Sequence, residues 1–481
     1  MTKTFDTDLL VVGFGSAGMT AAELAAQLGL RVTVVERARP GGDCLWTGCV
    51  PSKGLIAAAA VARHIRGAAS FGLPASNVDI DAAAVWRAMR EVRAEIAAGD
   101  DDPARFEALG VRVRRGEARV VGPHEVVVVG DEGTREAVTA RVILVCTGSR
   151  PVVPAIPGLE EVGHLTNETL FELETVPRRV LFIGGGPMAV ELAQALRQLG
   201  IDTTVLQRGE RVLPRDEPEL VDELVATLAA EGVEVCCGVE VARVEPGLVV
   251  VGVVGGVERT WATDAVVVAA GRAVDVDGLG LADVAVAVDD RGVVVDDRGR
   301  TSVPSIYAAG DVVGREMFTH AAAHQAAVAV RDAFYPGRGR AGAVVPWATF
   351  TEPTLAHAGP TVAEARDRWG PRRVRVHRWS LDHNDRAHTD RVSGSIVLVE
   401  RVGRLRTSLV GAHVLAPGAG ELINELVVAI ERRMSVADLG GVVHVYPTIA
   451  TSLQQLGGRA AAAEARRYRW LLKRSRRRWW R

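Results

Sequence analysis

The chain has 481 residues, 48% of them hydrophobic and 24% charged, with a formal net charge of −2. This is the composition of a globular chain long enough for about three domains, and it excludes disorder-dominated and fibrous classes. Five cysteines are too few for a secreted disulfide framework in so long a chain. No apolar run is expected to reach the ~18 to 20 residues of a membrane span, and the first ten residues carry acids where a leader would be basic, so the expectation is a cytoplasmic, untargeted protein.

Leu9-Leu10-Val11-Val12 reads as a short apolar strand running into Gly13-Phe14-Gly15-Ser16-Ala17-Gly18, then a helix to Leu28 and a second strand over Val32 to Val35. Glu36 closes that strand, 18 residues after Gly18, where an acid would hold a ribose hydroxyl. A lone glycine fingerprint is weak evidence. Strand, turn, helix, strand and acid together point to a dinucleotide.

Gly41-Gly42-Asp43-Cys44-Leu45-Trp46-Thr47-Gly48-Cys49-Val50-Pro51-Ser52-Lys53 follows at once, with two cysteines separated by four residues. Pro51 suits the first turn of an Ala-rich helix extending to Ala69, which places Cys49 at the helix N-terminus, where backbone N–H groups and the dipole stabilise a thiolate. The pair is read as a redox-active disulfide. The alternatives are inert buried thiols or half of a metal site, but no second cysteine or histidine cluster stands at ligand spacing, and no metal site is assigned.

The strand-turn-helix pattern recurs at Val180 to Ile183, followed by Gly184-Gly185-Gly186-Pro187-Met188-Ala189, a helix to Leu199 and a strand over Thr203 to Leu206. That strand ends in Gln207-Arg208, with Arg211 beyond, instead of an acid. A carboxylate would bind a ribose 2′-OH and repel a 2′-phosphate, whereas arginines attract it, so NADPH is favoured over NADH. The bland alternative is that Arg208 and Arg211 are solvated surface charges.

Further strands end in small residues at Cys146-Thr147-Gly148-Ser149, Ala269-Ala270-Gly271-Arg272 and Ala308-Ala309-Gly310-Asp311. They divide the chain into a first nucleotide domain (1–150 with 272–345), an inserted second one (151–271) and a C-terminal α+β segment (346–458). The last has alternating strands and an apolar-faced helix over Gly420 to Arg432, with no glycine fingerprint, and is most simply an oligomerisation module. Cys236-Cys237 falls in an expected strand over Val233 to Val239 and is taken as structural, with a redox or metal role as the alternative. A basic tail (459–481) ends the chain: from Arg466 onward there are nine Lys/Arg and no acid, leaving −11 on the rest. With Trp470, Trp479 and Trp480 among its arginines it could make a weak contact with an anionic membrane. A solvated terminus is the bland alternative, and nucleic acid is not the expected partner.

These motifs resemble the FAD-containing pyridine nucleotide-disulfide oxidoreductases that include dihydrolipoamide dehydrogenase, glutathione reductase and mercuric reductase, over residues ~6 to ~458. The resemblance implies an α/β chain with two Rossmann-like nucleotide domains and a C-terminal α+β dimerisation domain that makes a homodimer. It implies that the first fingerprint, Glu36, Lys53, Thr147-Gly148-Ser149, Asp311 and Met317-Phe318-Thr319-His320 hold FAD, and that the second fingerprint (Gly184, Gly186, Ala189) holds the nicotinamide nucleotide. Gly42, Asp43, Ala118, Val241 and Gly271 complete the cofactor contacts carried over. Electrons would pass from NADPH through FAD to Cys49, opening the disulfide and freeing Cys44 as the interchange thiol, with Lys53 and Glu191 matching the family's ion pair beside the flavin.

The departures bear on substrate. In the lipoamide and glutathione enzymes a C-terminal histidine, oriented by a glutamate, exchanges protons with the interchange thiol. Here the matching run is His444-Val445-Tyr446-Pro447-Thr448-Ile449-Ala450-Thr451, so Tyr446 stands at the base position and Thr451 at that of its acid. A phenol is a poor base at neutral pH. Mercuric reductase is similar in carrying tyrosine there, and a soft metal ion binds thiolates without needing a proton. The tail nevertheless lacks the extra cysteine pair of mercuric reductases, and His444 is the alternative base. The expectation is a mercuric-reductase-like enzyme acting on a metal ion or small electron acceptor. The alternatives are dihydrolipoamide dehydrogenase or another disulfide reductase, and a flavin-binding protein whose disulfide chemistry is lost.

Overall fold

Leu9, Leu10 and Val11 are almost wholly buried in the first strand, β1 (Thr7–Val12), because it runs through the middle of a sheet covered on both faces. The computed structural model describes residues 4–74, 79–335, 344–404 and 406–467. Two units emerge: one holds residues up to 184 with 195–206 and 239–342, the other 185–194, 207–238 and 343 onward.

In the first unit, β1 pairs in parallel with β2 (Val32–Glu36) and with the end of the strand Arg135–Val145, Leu9 lying opposite both Val32 and Val142. Arg112–Arg115 adds outside β2, and Ile306–Ala308 pairs in parallel with Arg135–Val145. Arg135–Val145 is longer than the expected Val142 to Val145 because its first half pairs antiparallel with Glu125–Val129, which pairs in turn with Glu117–Gly122. Helix α1 (Ser16–Gln27) and the helix Thr319–Phe334 cover one face; beside Val330 their contributions to that core are alanines, among them Ala21, Ala22 and Ala25 with Ala322, Ala326 and Ala329, which let backbones approach closely. The other face is closed by the meander and by Leu279, Leu281 and Val312.

The same unit holds the second parallel set, in which Arg179–Ile183 lies between Ala265–Val268 and Asp202–Gln207. It also holds α2 (Gly42–Trp46), α3 (Cys49–Gly67) and α4 (Ala82–Ala97). Helices α3 and α4 meet at Gly54, where an added Cβ would sit 2.9 Å from Met89 Cγ. One expectation is corrected: the stretch Gly42–Phe71 is apolar enough by composition for a membrane span, with mean hydropathy 1.3 in its best window. It is interrupted at Thr47 and Gly48, and Leu55, Ala59 and Ala62 of α3 are core residues.

The expected strand over Val233 to Val239 is two strands, Glu234–Cys237 and Val239–Glu245, because Gly238 takes a left-handed turn (φ 68°) between them.

The second unit is built on a five-stranded antiparallel sheet in the order Trp347–Thr349, Thr354–Ala358, Thr407–Ala416, Ser395–Val402, Val374–Ser380. Ile423 and Leu426 of helix Ala419–Glu431 and Leu453, Leu456 and Ala460 of helix Thr451–Arg467 join Ile396, Leu398 and Val414 in one core. Helix Thr451–Arg467 runs across the expected start of the tail at 459; the remainder of that tail, from 468, lies outside the described residues.

Candidate active site

The first glycine fingerprint forms a cradle of closely approaching backbone in which side chains would clash. Gly13 has φ 98°, and a Cβ there would lie 2.4 Å from the carbonyl oxygen of Cys146; one on Gly18 would lie 2.0 Å from the carbonyl of Gly13. Gly15 caps α1 without a side-chain hydrogen bond, so the first-turn amides at Ser16 and Ala17 carry no side-chain cap. Gly42 (φ 58°) faces Gly15 across the cradle, and a Cβ on it would stop 2.8 Å from Gly15 Cα. Glu36 ends β2 with its carboxylate held in place: Phe14 N donates to Oε2 at 2.6 Å and Ala38 N to Oε1 at 2.8 Å. Ala118 is half-buried on Glu117–Gly122 in the core on the far side of the sheet.

The two cysteines sit where α2 gives way to α3. Cys44 is the third residue of α2 and Cys49 the first of α3, with Pro51 in the opening turn of α3. Cys49 Sγ is 3.3 Å from Thr319 Oγ1, the first residue of helix Thr319–Phe334. A hydrogen bond with Cys49 holds the Cys44 thiol well above its ordinary pKa, reinforced by burial and by the neighbouring sulfur's charge. Cys44 therefore holds its proton more tightly than an ordinary cysteine, and Cys49 is the sulfur that stands at the helix N-terminus. Lys53, one turn further on, is half-buried with Nζ 3.5 Å from Ser52 Oγ. Met317 is half-buried just ahead of Thr319, and the rings of Phe318 and His320 stack at 5.5 Å.

Around this pair lies a charged network that the sequence did not disclose. Arg272 forms an ion pair with Asp43 and donates from Nε to Ser149 Oγ at 2.7 Å and from Nη2 to the Ser149 carbonyl at 2.9 Å. Ser149 Oγ donates in turn to Asp311 Oδ2 at 2.5 Å. Burial pushes the Asp311 carboxyl upward, while Ser149 and Arg272 pull it back. The Thr147 hydroxyl donates to the Asp275 carbonyl at 2.6 Å, and Asp275 N returns a bond to the carbonyl of Gly148 (φ 76°), fixing that turn. The signal for Arg272 was its place at a strand end among small residues, which named the junction without naming its partners.

At the second fingerprint, Gly184 has φ 114°, and a Cβ would fall 2.3 Å from the carbonyl of Ala269. Gly271 (φ 129°) follows that carbonyl's strand and has open space at its missing side chain, and Val241 stands at a bulge in Val239–Glu245. Within the second unit, Gly186 likewise faces open space and Ala189 is fully buried. Gln207 takes the place of an acid: its Oε1 accepts from Gly185 N at 3.0 Å and its Nε2 donates to the Arg211 carbonyl at 3.2 Å. Arg208 is exposed, whereas Arg211 is paired with Asp222 and donates to the Pro218 carbonyl at 2.9 Å. Glu191 is buried and accepts from Phe350 N at 2.7 Å.

Burial raises the Cys146 thiol, and Cys236 and Cys237, adjacent on a strand, project to opposite sides. Cys236 bonds Glu234 at 3.4 Å, and burial raises Cys237.

The C-terminal candidates are engaged within their own unit. Tyr446 is exposed, and its hydroxyl donates to Asp385 Oδ2 at 2.7 Å, a bond that raises its pKa further. Thr451 Oγ1 donates to the Thr448 carbonyl at 2.6 Å and accepts from Asn384 Nδ2 at 3.2 Å. His444 faces Glu425 Oε1 with Nε2 and the Val442 carbonyl with Nδ1, each at 3.0 Å, so both ring nitrogens are committed.

A glycine cradle with an acid at the end of its second strand, a second glycine fingerprint and a thiol pair at a helix N-terminus are the marks of a nucleotide-dependent dithiol oxidoreductase. The chain belongs to the family described as pyridine nucleotide-disulphide oxidoreductase, matched over residues 7–326, and carries that family's dimerisation domain over 345–456. It is 34% identical to a glutathione reductase of Burkholderia cepacia over 95% of this chain and all of that one. It is 35% identical to a dihydrolipoyl dehydrogenase of Thermus scotoductus, covering 94% and 96% of the two chains, and 35% identical to a mercuric reductase of Acidithiobacillus ferrooxidans, covering 93% and 81%. Its fold matches the HOCl-induced flavoprotein disulfide reductase RclA from Escherichia coli, solved as a Cu(II) complex, with TM-score 0.82 and 23% identity over 95% of this chain and 99% of that one. The protein is thus an FAD-dependent enzyme of this family, which uses pyridine nucleotides. The residues present fit FAD: glycines at 13, 18 and 42 let backbone segments close up where a side chain would clash, the first-turn amides of α1 carry no side-chain cap, Glu36 is held by two backbone amides, and Asp311 is a half-buried acceptor.

Proposed function

We propose that this enzyme is an NADPH-dependent reductase of a soft metal ion or another small electron acceptor, mercuric-reductase-like in outcome and working as a cytoplasmic homodimer. The observation that carries the proposal is the Tyr446 phenol, which donates to Asp385 and so holds its own proton more tightly. A group held in this way does not take a proton from an interchange thiol or return one to a leaving thiol, a service typically worth about 10²–10⁴-fold. His444, the other candidate, has both nitrogens engaged. A thiophilic metal ion or a redox-active acceptor needs no such service.

FAD, when bound, supplies two-electron transfer between the nicotinamide and the dithiol. The chain's own residues divide the remaining work. Cys49 stands at the start of α3 beside the Thr319 hydroxyl, and Cys44 holds its proton more tightly than an ordinary thiol. Arg208 offers a cation for a 2′-phosphate, which supports NADPH, while Asp222 neutralises Arg211 and removes it from that role. The second reading, dithiol exchange as in dihydrolipoyl dehydrogenase with NADH, is favoured by the equal identity to such a relative.

Stopped-flow reduction by NADPH and by NADH, followed by turnover with Hg(II), quinones, lipoamide and glutathione disulfide, tests the proposal. Faster reduction by NADPH with turnover confined to metal ion or quinone supports it. Preference for NADH with fast lipoamide turnover overturns it.

A further inference from the structure

The six-residue segment from Cys44 to Cys49 is gripped from outside at its middle. Helix α2 ends at Trp46, so the carbonyls of Trp46 and Thr47 have no further turn to accept from. Two buried side chains take them. Arg93 of α4 donates from Nη1 to the Trp46 carbonyl at 3.0 Å, and Asn167 donates from Nδ2 to the Thr47 carbonyl at 3.2 Å and lies 3.3 Å from Thr47 Oγ1. Both are nine-tenths or more buried, at 6% and 4% exposure.

Each anchor is itself fixed. Arg93 forms a two-point pair with Glu172 at 2.6 and 3.2 Å. Trp86, also on α4, donates to the Leu170 carbonyl at 3.0 Å, which ties α4 to the helix Asn167–Leu170 that begins at Asn167. The Trp46 ring lies under two guanidinium groups, Arg39 at 4.8 Å and Arg93 at 5.4 Å, with its indole N–H on the Pro40 carbonyl at 2.7 Å.

We infer that Arg93 and Asn167 are positioning residues for the redox pair: by holding the Trp46 and Thr47 carbonyls they keep Cys44 and Cys49 close while both are thiols. This rests on the reading of Cys44 and Cys49 as a cycling pair. A loop held in place loses little freedom when its ends join, so the S–S bond forms at high effective concentration and the dithiol is a strong reductant. A loosened loop gives a weaker one.

The holoenzyme is equilibrated anaerobically with mixtures of reduced and oxidised dithiothreitol, quenched in acid and alkylated, and the peptide carrying Cys44 and Cys49 is weighed. In this exchange the protein's S–S bond forms as that of the cyclic oxidant breaks, and two electrons and two protons pass from the protein dithiol to dithiothreitol. Arg93→Met and Asn167→Ala are each expected to lower the equilibrium constant for closing the protein disulfide about tenfold, a shift of about 30 mV toward the oxidising side. Asn167→Ala loses one amide and carries the test should Arg93→Met not fold. An equilibrium constant equal to wild type in folded Asn167→Ala overturns the inference. A wild-type protein that closes no disulfide in any mixture overturns the redox-pair reading itself, and is recognised by its failure before any variant is compared.

Discussion

Replacing His413 with Gln should reduce the stability lost on acidification to pH 4 by about 3 kcal/mol. His413 lies fully buried on the strand Thr407–Ala416, with Nε2 3.2 Å from the Pro360 carbonyl and Nδ1 3.1 Å from His357 Nδ1. Two neutral rings satisfy this arrangement: His413 donates from Nε2 to Pro360 and offers its Nδ1 lone pair to His357. His357 stacks on Trp347 at 3.8 Å, and the Trp347 indole donates to Asp216 Oδ1 at 2.9 Å. Asp216 lies 4.0 Å from His357 Nδ1, and Glu217 3.9 Å from His413 Nε2. Burial lowers His413 from 6.5 to about 4; burial and then the charge of the second ring lower His357 to about 2.

Because the folded value of His413 lies below the unfolded one, its contribution to stability is complete above pH 6.5 and is lost as pH falls toward about 4. At about 1.4 kcal/mol for each tenfold change in proton affinity, the loss by pH 4 comes to about 3 kcal/mol. Asp216 works in the opposite sense: burial raises it to about 6, so the fold regains some stability as it protonates, equally in both proteins. The glutamine side chain preserves a donor for Pro360 and an acceptor for His357, so its own cost is nearly independent of pH. Urea unfolding at pH 7 and pH 4, followed by tryptophan fluorescence, gives the comparison. An acid-induced loss of the same size in the His413→Gln variant and the wild-type protein would mean that His413 is not the group whose protonation destabilises the fold.

Two further outcomes concern the cofactor cradles. Arg208→Ala should raise the KM for NADPH about tenfold, the equivalent of about 1.4 kcal/mol, and leave that for NADH unchanged, while Arg211→Ala, whose charge Asp222 already holds, should do less; steady-state kinetics with both nucleotides decides, and equal losses for the two would count against the 2′-phosphate role. Gly13→Ala combines a left-handed backbone, costing roughly 1–2 kcal/mol, with a Cβ 2.4 Å from the Cys146 carbonyl. It should lower the thermal midpoint and the flavin absorbance per chain, and a fully loaded, equally stable variant would contradict the cradle geometry.

The parts of the site legible in the sequence are those written in consecutive residues. The Gly13 to Gly18 turn with Glu36 beyond it, and Cys49 at the head of an Ala-rich helix, are local patterns whose backbone consequences are fixed by sterics and helix ends. The Arg272 bond to Asp43, the Arg93 and Asn167 grip on the loop and the Glu425 partner of His444 join residues far apart in the chain, and charge on a side chain does not say which distant carbonyl or carboxylate it will meet. Element ends were blurred for a related reason. Arg135–Val145 is extended by antiparallel partners that its own residues do not name, and Gly238 breaks a run of β-branched and cysteine residues by its backbone angle alone.

Electrons are expected to leave the Cys44–Cys49 pair without a base at Tyr446, and the decisive variant is Tyr446→Phe. With NADPH and a saturating metal-ion or quinone acceptor, kcat of the Phe variant should equal that of wild type within about twofold, and both should turn over lipoamide and glutathione disulfide slowly for want of the roughly 10²–10⁴-fold that acid-base catalysis gives. Fast turnover of either disulfide by the wild-type enzyme, collapsing by about a hundredfold or more in Tyr446→Phe, would contradict the account.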